Sequence, residues 1–355
     1  MSTDTRPQSE SGSAATDADG VRRTERLTER YERIRRSRRR RAIGGLTLLG
    51  VIGFLFLQAL SAVGMFDAEY NAPFFLESLR DFFPITWYFG VIPFLDIGQY
   101  WAFITERQLL FDPAVGQLLV TDPVAFFIDE LGIFAVFGEA GTTLAIGLGG
   151  TIIGFPLALL FGVLGSERVT PFPLNFVFRG TMSAIRSIPA LIWALILIPL
   201  AGLGPASATL AVGIDTIGNL GRLFTDELEE ISEGPIEAME TTGANRPQTI
   251  TFGMLSQVTT PFIAWTLYIF EINVRAAVAL GVIGGGGLGQ ILEVQQGLLQ
   301  FTNTMATLLC IFLLIISVEL CSQRIRARLR ADEEPMGLWE LITGFPQRLV
   351  ESLSK

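Results

Sequence analysis

Apolar and polar positions follow one another along this chain in blocks, and the longest apolar blocks match the roughly 20 residues that carry a helix across about 30 Å of hydrocarbon. The first, 42–66, holds no charged residue. Further blocks cover about 142–164, 188–203, 206–223, 261–283 and 304–321. The pattern predicts an all-α membrane protein of about six transmembrane helices. Between 67 and 137 the apolar pieces are too short to span: 82–95 contains Pro84 and Pro93, and 124–137 is interrupted by Asp129 and Glu130. These pieces predict a small outward cap of interfacial or re-entrant helices, with Trp87, Tyr88, Tyr100 and Trp101 suited to the headgroup level.

The polar blocks divide the rest. Residues 1–20 are rich in Ser, Thr, Asp and Ala and read as a disordered tail. From 21 to 41 the charges recur at helical spacing, which predicts a solvated helix leading into the first span. A permease-like core occupies 138–322 and contains a polar loop at 233–257. The segment 323–355 forms a second tail, whose Leu338, Trp339, Leu341, Ile342, Phe345, Leu349, Val350 and Leu353 are spaced for a helix lying on a membrane surface.

Composition supports the membrane assignment: half of the residues are hydrophobic, 17% are charged and 37 are glycine, which is too apolar for an ordinary soluble domain. Charge then sets the expected orientation. Arg35, Arg36 and Arg38 to Arg41 flank the first span, Arg168, Arg179 and Arg186 lie between the second and third, and Arg324, Arg326, Arg328 and Arg330 follow the sixth. Basic residues hold their ends of spans in the cytoplasm, so both termini are expected inside a multi-pass plasma-membrane protein. The first block is long and lacks a clear small-residue cleavage site, so it reads as an anchor and not a signal peptide. Beside a span, the arginine run reads as a topology signal and not a nucleic-acid site.

The net charge of -9 is unevenly placed: 67–137 holds ten acids against two arginines, and 1–41 holds seven acids against twelve arginines. With a single lysine, Lys355, and no histidine, this acidic balance suits a high-salt habitat, where charge repulsion is screened within about 3 Å at 1 M salt. Cys310 and Cys321 suggest neither a disulfide framework nor a metal site, and the absence of histidine removes most zinc and Cys/His catalytic schemes. No catalytic residue, metal or cofactor is expected. The chain also lacks a Walker A Gly-Lys-Ser or Gly-Lys-Thr, so ATP chemistry would belong to another subunit.

Four groups of residues are candidates for function. In the polar loop, Gly234-Pro235 suits a first helical turn, Gly243 a C-terminal cap, and Asn245 with Pro247 the start of another helix. In the fifth block Glu271 and Arg275 stand four apart, on one helical face. A charge at the centre of a spanning helix costs roughly 2.5–3.5 kcal/mol, so the pair is expected to face protein or water. Two readings stay open: an ion pair that fixes packing, or an Arg275 that offers positive potential to an anion which Glu271 and Asn273 orient. In the fourth block Asp215, Asn219 and Arg222 occupy i, i+4 and i+7 and share a face, as a helix contact or as part of a pathway. Gly284, Gly286 and Gly289 match a GxGxxG string, but they follow a span and open no βαβ unit, so they read as a gate or a tight turn, not a nucleotide site.

Glu237-Ala238-Met239, Gly243 and Leu255-Ser256, followed by Phe270-Glu271-Ile272-Asn273-Val274-Arg275 and the glycine-rich 281–290, resemble the permease subunit of ABC importers, and within them the phosphonate-type permeases. The first part looks like their EAA loop, written Glu-Ala-Ala, three residues, Gly, nine residues, Ile, one residue, Leu-Pro. Met239 replaces its third residue, Gly253 its Ile and Ser256 its Pro, so the Phe270–Arg275 stretch carries the narrower likeness. A histidine often stands in the phosphonate-type pattern where this chain has Asp215.

The resemblance implies a type I ABC importer permease-like fold and a homodimer with the pathway between two copies. It further implies two copies of an ABC ATPase, an extracellular solute-binding protein, a surround of membrane lipid, and a phosphonate or related phosphorus oxyanion as solute. Glu237, Ala238, Gly243 and Leu255 would form the ATPase-coupling loop; Asp215, Asn219, Glu271, Asn273 and Arg275 would belong to the pathway. Two rivals remain: an ion-coupled secondary anion transporter, which would normally show two similar halves, and a membrane-embedded sensor or assembly protein without transport.

Overall fold

The computed structural model describes residues 38–88, 92–128 and 132–329. The expected disordered tail and the expected surface helix after Arg330 lie outside these residues. The chain divides into two compact units, 1–72 and 73–355. The described part of the first is dominated by α1 (Arg38–Ala62), a 25-residue helix long and apolar enough to cross a membrane. Its side chains are almost all exposed within the unit.

The second unit begins with the cap. Helix α2 (Ala72–Phe82) leads to a hairpin of β1 (Ile85–Tyr88) and β2 (Ile92–Leu95), paired antiparallel with Ile85 opposite Leu95 and Trp87 opposite Pro93. The sequence pattern predicts interfacial helices here, and the two strands correct that over 85–88 and 92–95. Pro84 and Pro93 disfavour a helix, and the Ile, Thr, Trp and Tyr between them fit a pleated strand. Three acids of the cap are helix caps: Asp96 accepts from the Gln99 amide before α3 (Ile97–Glu106), Asp112 from Ala114 and Val115 in α4 (Pro113–Thr121), and Asp122 from Ala125 in α5 (Pro123–Ile128). The short α6 (Gly132–Ala135) follows.

The cap is seated on the bundle. Tyr100, Phe103 and Leu109 are buried with Leu288, Ala306 and Cys310, and the Phe301 ring contacts those of Phe74 and Phe82. Thr302 adds a hydrogen bond to the Asp81 carbonyl, 2.7 Å.

The bundle is built on α7 (Gly138–Gly165) and α10 (Pro205–Glu229). Glycine brings their backbones together: a Cβ on Gly150 would lie 2.4 Å from Val212, one on Gly154 2.5 Å from the Gly213 carbonyl, and one on Gly162 2.8 Å from the Gly221 carbonyl. Such a small-residue seam is how helices pack where lipid removes the hydrophobic drive between them. Between these helices, α8 (Leu174–Arg186) and α9 (Ala190–Ala201) meet at a 90° bend. The 188–203 block is therefore no span by itself, since twelve residues reach only about 18 Å.

After α10 come α11 (Gly234–Thr241) and a 40-residue helical run, 246–285. The run comprises α12 (Arg246–Gln248), a π-helical turn (Thr249–Met254), α13 (Leu255–Leu280) and a second π-helical turn (Gly281–Gly285). Helices α14 (Gly287–Gly297) and α15 (Phe301–Leu329) close the bundle. Phe224 of α10 stacks on Phe262 of α13 at 4.0 Å and meets Phe155 of α7 edge-on.

Among the described residues four helical runs are long and apolar enough to cross a membrane, α1, α7, 246–285 and α15, and the bent α8–α9 pair makes a fifth. Helix α10 has the length, 25 residues, but carries Asp215, Arg222, Asp226, Glu227 and Glu229. The expectation of about six spans thus stands only as an approximate count.

Candidate functional site

The loop that joins α10 to α13 folds as its sequence suggests. Pro235 sits in the first turn of α11, Gly243 adopts φ +77, a left-handed turn that favours glycine, and Asn245 with Gln248 forms a capping box at the start of α12. Glu237, Ala238 and Gly243 are exposed on this short helix and bend. Leu255 differs: it is half-buried against the core cluster of Phe224, Val258 and Phe262, so it holds the loop down. Ile236, buried in the same cluster, does this from α11.

Two of the three departures from the EAA pattern meet in space. A Cβ added at Gly253 would come 3.3 Å from Met239 Cγ, so the long methionine occupies the volume that the missing side chain frees. Arginines and a glutamine complete the anchorage. Arg168 contacts Glu233 at 2.5 Å and donates to the Glu229 carbonyl, Arg246 donates to the Val169 carbonyl, Arg179 pairs with Glu229, and Gln257 exchanges hydrogen bonds with Ser232. The sequence pattern marks Arg168 and Arg179 only as charges between spans; their contacts with Glu229 and Glu233 join residues 50 or more positions apart and leave no local spacing to read.

The five expected pathway residues do not form one site. Asp215 and Asn219 lie together on α10, with Asn219 Nδ2 donating to Asp215 Oδ2 at 2.9 Å. Their third member is Arg186 of α8, whose Nε donates to Asn219 Oδ1 at 3.1 Å. A Cβ at Gly218 would be 2.8 Å from Arg186 Cγ, so that glycine lets the arginine lie across α10. Arg222, one turn further, pairs with Asp226 at 3.0 Å. This face is only partly covered: Arg186 is exposed, and Asp215, Asn219, Arg222 and Asp226 are half-buried.

On α13 the arrangement corrects the sequence expectation. Asn273 is 1% exposed and donates to Thr151 of α7 and Thr216 of α10, both at 2.8 Å; those hydroxyls donate in turn to the Gly147 and Val212 carbonyls. It ties three helices together and is buried among them. Glu271 and Arg275, each two residues away, point to nearly the opposite side of the helix and do not pair with each other. Glu271, with its side chain 8% exposed, contacts Arg326 at 2.7 Å as a charge pair without hydrogen-bond alignment, and Arg275 contacts Glu319 at 3.4 Å. The physical reason is α15, which packs on α13 and presents an acid and a base seven residues apart, in the order that matches two oppositely placed charges. Neither Glu319 nor Arg326 was singled out for this role, although their two-turn spacing on a span was the available signal.

The glycine segment is a tight turn in this structure. Gly284 and Gly286 have φ of +94 and +91, and the backbone is seated closely: a Cβ on Gly286 would be 2.8 Å from Pro205, and one on Gly289 only 2.0 Å from the Val278 carbonyl. The Leu288 amide donates to Thr143 of α7, which pins the turn to the bundle.

Comparison with known proteins follows this geometry. The family model described as binding-protein-dependent transport system inner membrane component matches residues 123–331. The phosphate-import permease protein PhnE of Mycolicibacterium smegmatis is 35% identical over 218 residues, which cover 61% of this chain and 40% of that one. The putative phosphite transport system permease protein HtxC of Stutzerimonas stutzeri is 32% identical over 252 residues, covering 68% and 81%. The chain thus spans two-fifths of the first relative and four-fifths of the second. A solved chain of the MetNI methionine ABC transporter, in an inward-facing form, is 22% identical, with a TM-score of 0.49 over 54% of this chain and 94% of that one.

Proposed function

This chain belongs to the family of binding-protein-dependent transport system inner membrane components, and from that membership we propose that it is the permease subunit of an ABC importer for phosphonate, phosphite or a related phosphorus oxyanion. The observation that carries the reading is the α11–α12 loop. It presents a short helix outward, with Glu237 and Ala238 exposed, while the residues behind it are tied to the segment after α7, through Arg168 and Val169, and to α10 and α13. A lever needs that combination of a free contact face and a stiff attachment. An ATPase that pushes on α11 would move α10 and α13 with it.

On this reading the loop and both termini face the cytoplasm, two ATPase subunits bind two copies of the chain, and an extracellular binding protein delivers the solute. The solute path runs along the α10 face that carries Asp215, Asn219 and Arg186. An arginine at a partly covered membrane position is suited to an oxyanion, because guanidinium offers several N–H donors in a fixed plane. Bonded to Asn219 by its Nε, Arg186 keeps its terminal nitrogens for that task.

The coupling role is tested by Glu237→Arg, a reversal on an exposed residue that no packing contact depends on. The expected result is normal membrane yield with ATP hydrolysis by the assembled transporter no longer yielding uptake. Uptake at the parental rate would remove the loop from the coupling path.

A further inference from the structure

At the end of the bundle that carries the α11 loop, a cavity of about 350 Å³ opens between α10, α13 and α15. Its lining includes Glu227, Thr260, Trp265, Tyr268 and Arg326. No step of the proposed transport uses it, and its chemistry is unusual for a surface within a membrane bundle: one carboxylate, one guanidinium, two aromatic rings and two hydroxyls share a single opening.

The hydrogen-bond inventory separates committed groups from available ones. Trp265 Nε1 donates to Glu227 Oε1 at 2.6 Å, which fixes the carboxylate against the ring. Arg326 gives one nitrogen to Glu271, which lies behind the cavity, and has no other partner among the described residues. A guanidinium has five N–H donors, so most of its capacity is unused although its side chain is only 21% exposed. The Thr259 and Thr266 hydroxyls donate to carbonyls one turn back, but that of Thr260 has no partner among the described residues, and neither has the Tyr268 phenol. Arg326, Thr260 and Tyr268 therefore supply free donors suited to a phosphoryl group. Glu227, bonded to Trp265, and the Trp265 and Tyr268 rings, whose centroids lie 5.8 Å apart, supply a carboxylate and π-faces suited to an ammonium. The same carboxylate disfavours a bare dianion beside it, since like charges at this range repel.

We propose that this cavity binds a zwitterion in which an ammonium is joined to a phosphoryl group, with the phosphoryl oxygens on Arg326, Thr260 and Tyr268 and the ammonium at Glu227 and Trp265. Two sources carry that chemistry: the headgroup of an aminophospholipid, and a free aminoalkyl phosphoryl compound in solution. The proposal does not depend on what the chain transports.

The test is thermal unfolding of the full-length chain in neutral detergent, titrated separately with phosphoethanolamine, with phosphatidylethanolamine in mixed micelles, and with phosphatidylglycerol and inorganic phosphate as amine-free controls. A midpoint raised by phosphoethanolamine assigns the site to a free zwitterion. A midpoint raised by phosphatidylethanolamine alone assigns it to lipid. In either case Glu227→Gln, whose amide oxygen still accepts from Trp265, and the double variant Thr260→Val, Tyr268→Phe, which removes two hydroxyl donors but leaves the Arg326–Glu271 pair intact, should each raise the half-saturating concentration about tenfold or more, the loss of at least one charge-assisted contact. No rise with either amine compound, an equal rise with the amine-free controls, or a rise unchanged in both variants would overturn the proposal.

Discussion

Helices α10 and α13 each carry an acid, an asparagine and an arginine, at i, i+4 and i+7 in the first and at i, i+2 and i+4 in the second, and they dispose of them in different ways. On α10, Asp215 and Asn219 bond to each other and to Arg186, and the group remains partly open. On α13, Asn273 and Glu271 are buried against protein, Asn273 by the threonines of α7 and α10 and Glu271 by Arg326 of α15, while Arg275 is exposed but paired with Glu319 of α15. Paired or exposed is a property of the neighbouring helix. Spacing within one helix says which residues share a face, but not what that face meets.

The contrast yields predictions on stability for α13 and on transport for α10. The largest effect is expected from Arg326→Met. It leaves the Glu271 carboxylate buried without its partner, and removing one member of a buried pair is destabilising by about 3 kcal/mol or more. The thermal midpoint in detergent should fall sharply. Asn273→Ala comes next, at about 2 kcal/mol, because two buried hydrogen bonds between three helices are lost and a small void replaces them. Thr151→Val in addition should cost less in the Asn273→Ala background than alone, which a double-mutant cycle reads directly.

For Arg186→Gln the account expects unfolding unchanged within about 0.5 kcal/mol, since the arginine is exposed, while uptake falls about tenfold for the loss of a charged donor to an anion. Arg275→Gln should have the smallest effect, under about 1 kcal/mol, because both members of its pair with Glu319 are more than two-fifths exposed. Uptake should stay close to normal. A transport loss in Arg275→Gln larger than that in Arg186→Gln would move the path to α13.

Much of the fold was legible before the structure. The block lengths locate α1, α7, α13 and α15, and the Gly-Pro, Gly243 and Asn245 signals give the helix, bend and helix of the loop correctly. Two elements were not legible. The 188–203 block looked like a span because apolar count measures length only roughly, whereas Pro189 and the amphipathic α8 before it set a 90° corner. The hairpin at 85–95 was hidden because short apolar pieces fit a strand or a helix equally until proline is weighed.

In the candidate site, local signals gave local facts: α11 and the Asp215–Asn219 bond. What escaped were contacts between distant segments, such as Arg186 with Asn219 and Arg326 with Glu271. Met239 and Gly253 show the same limit in a helpful form. Each alone departs from the family pattern, and only their contact explains both.

Whether the proposed solute meets α10 or α13 can be read from accessibility to a membrane-impermeant thiol reagent. Asn219→Cys, Asn273→Cys and Arg275→Cys would be compared in a Cys321→Ser background within the assembled transporter, with and without the proposed oxyanion solute. Asn219→Cys is expected to be labelled and protected by solute, Asn273→Cys to stay unlabelled, and any labelling of Arg275→Cys to be indifferent to solute. Solute protection at 273 or 275, with none at 219, would contradict it.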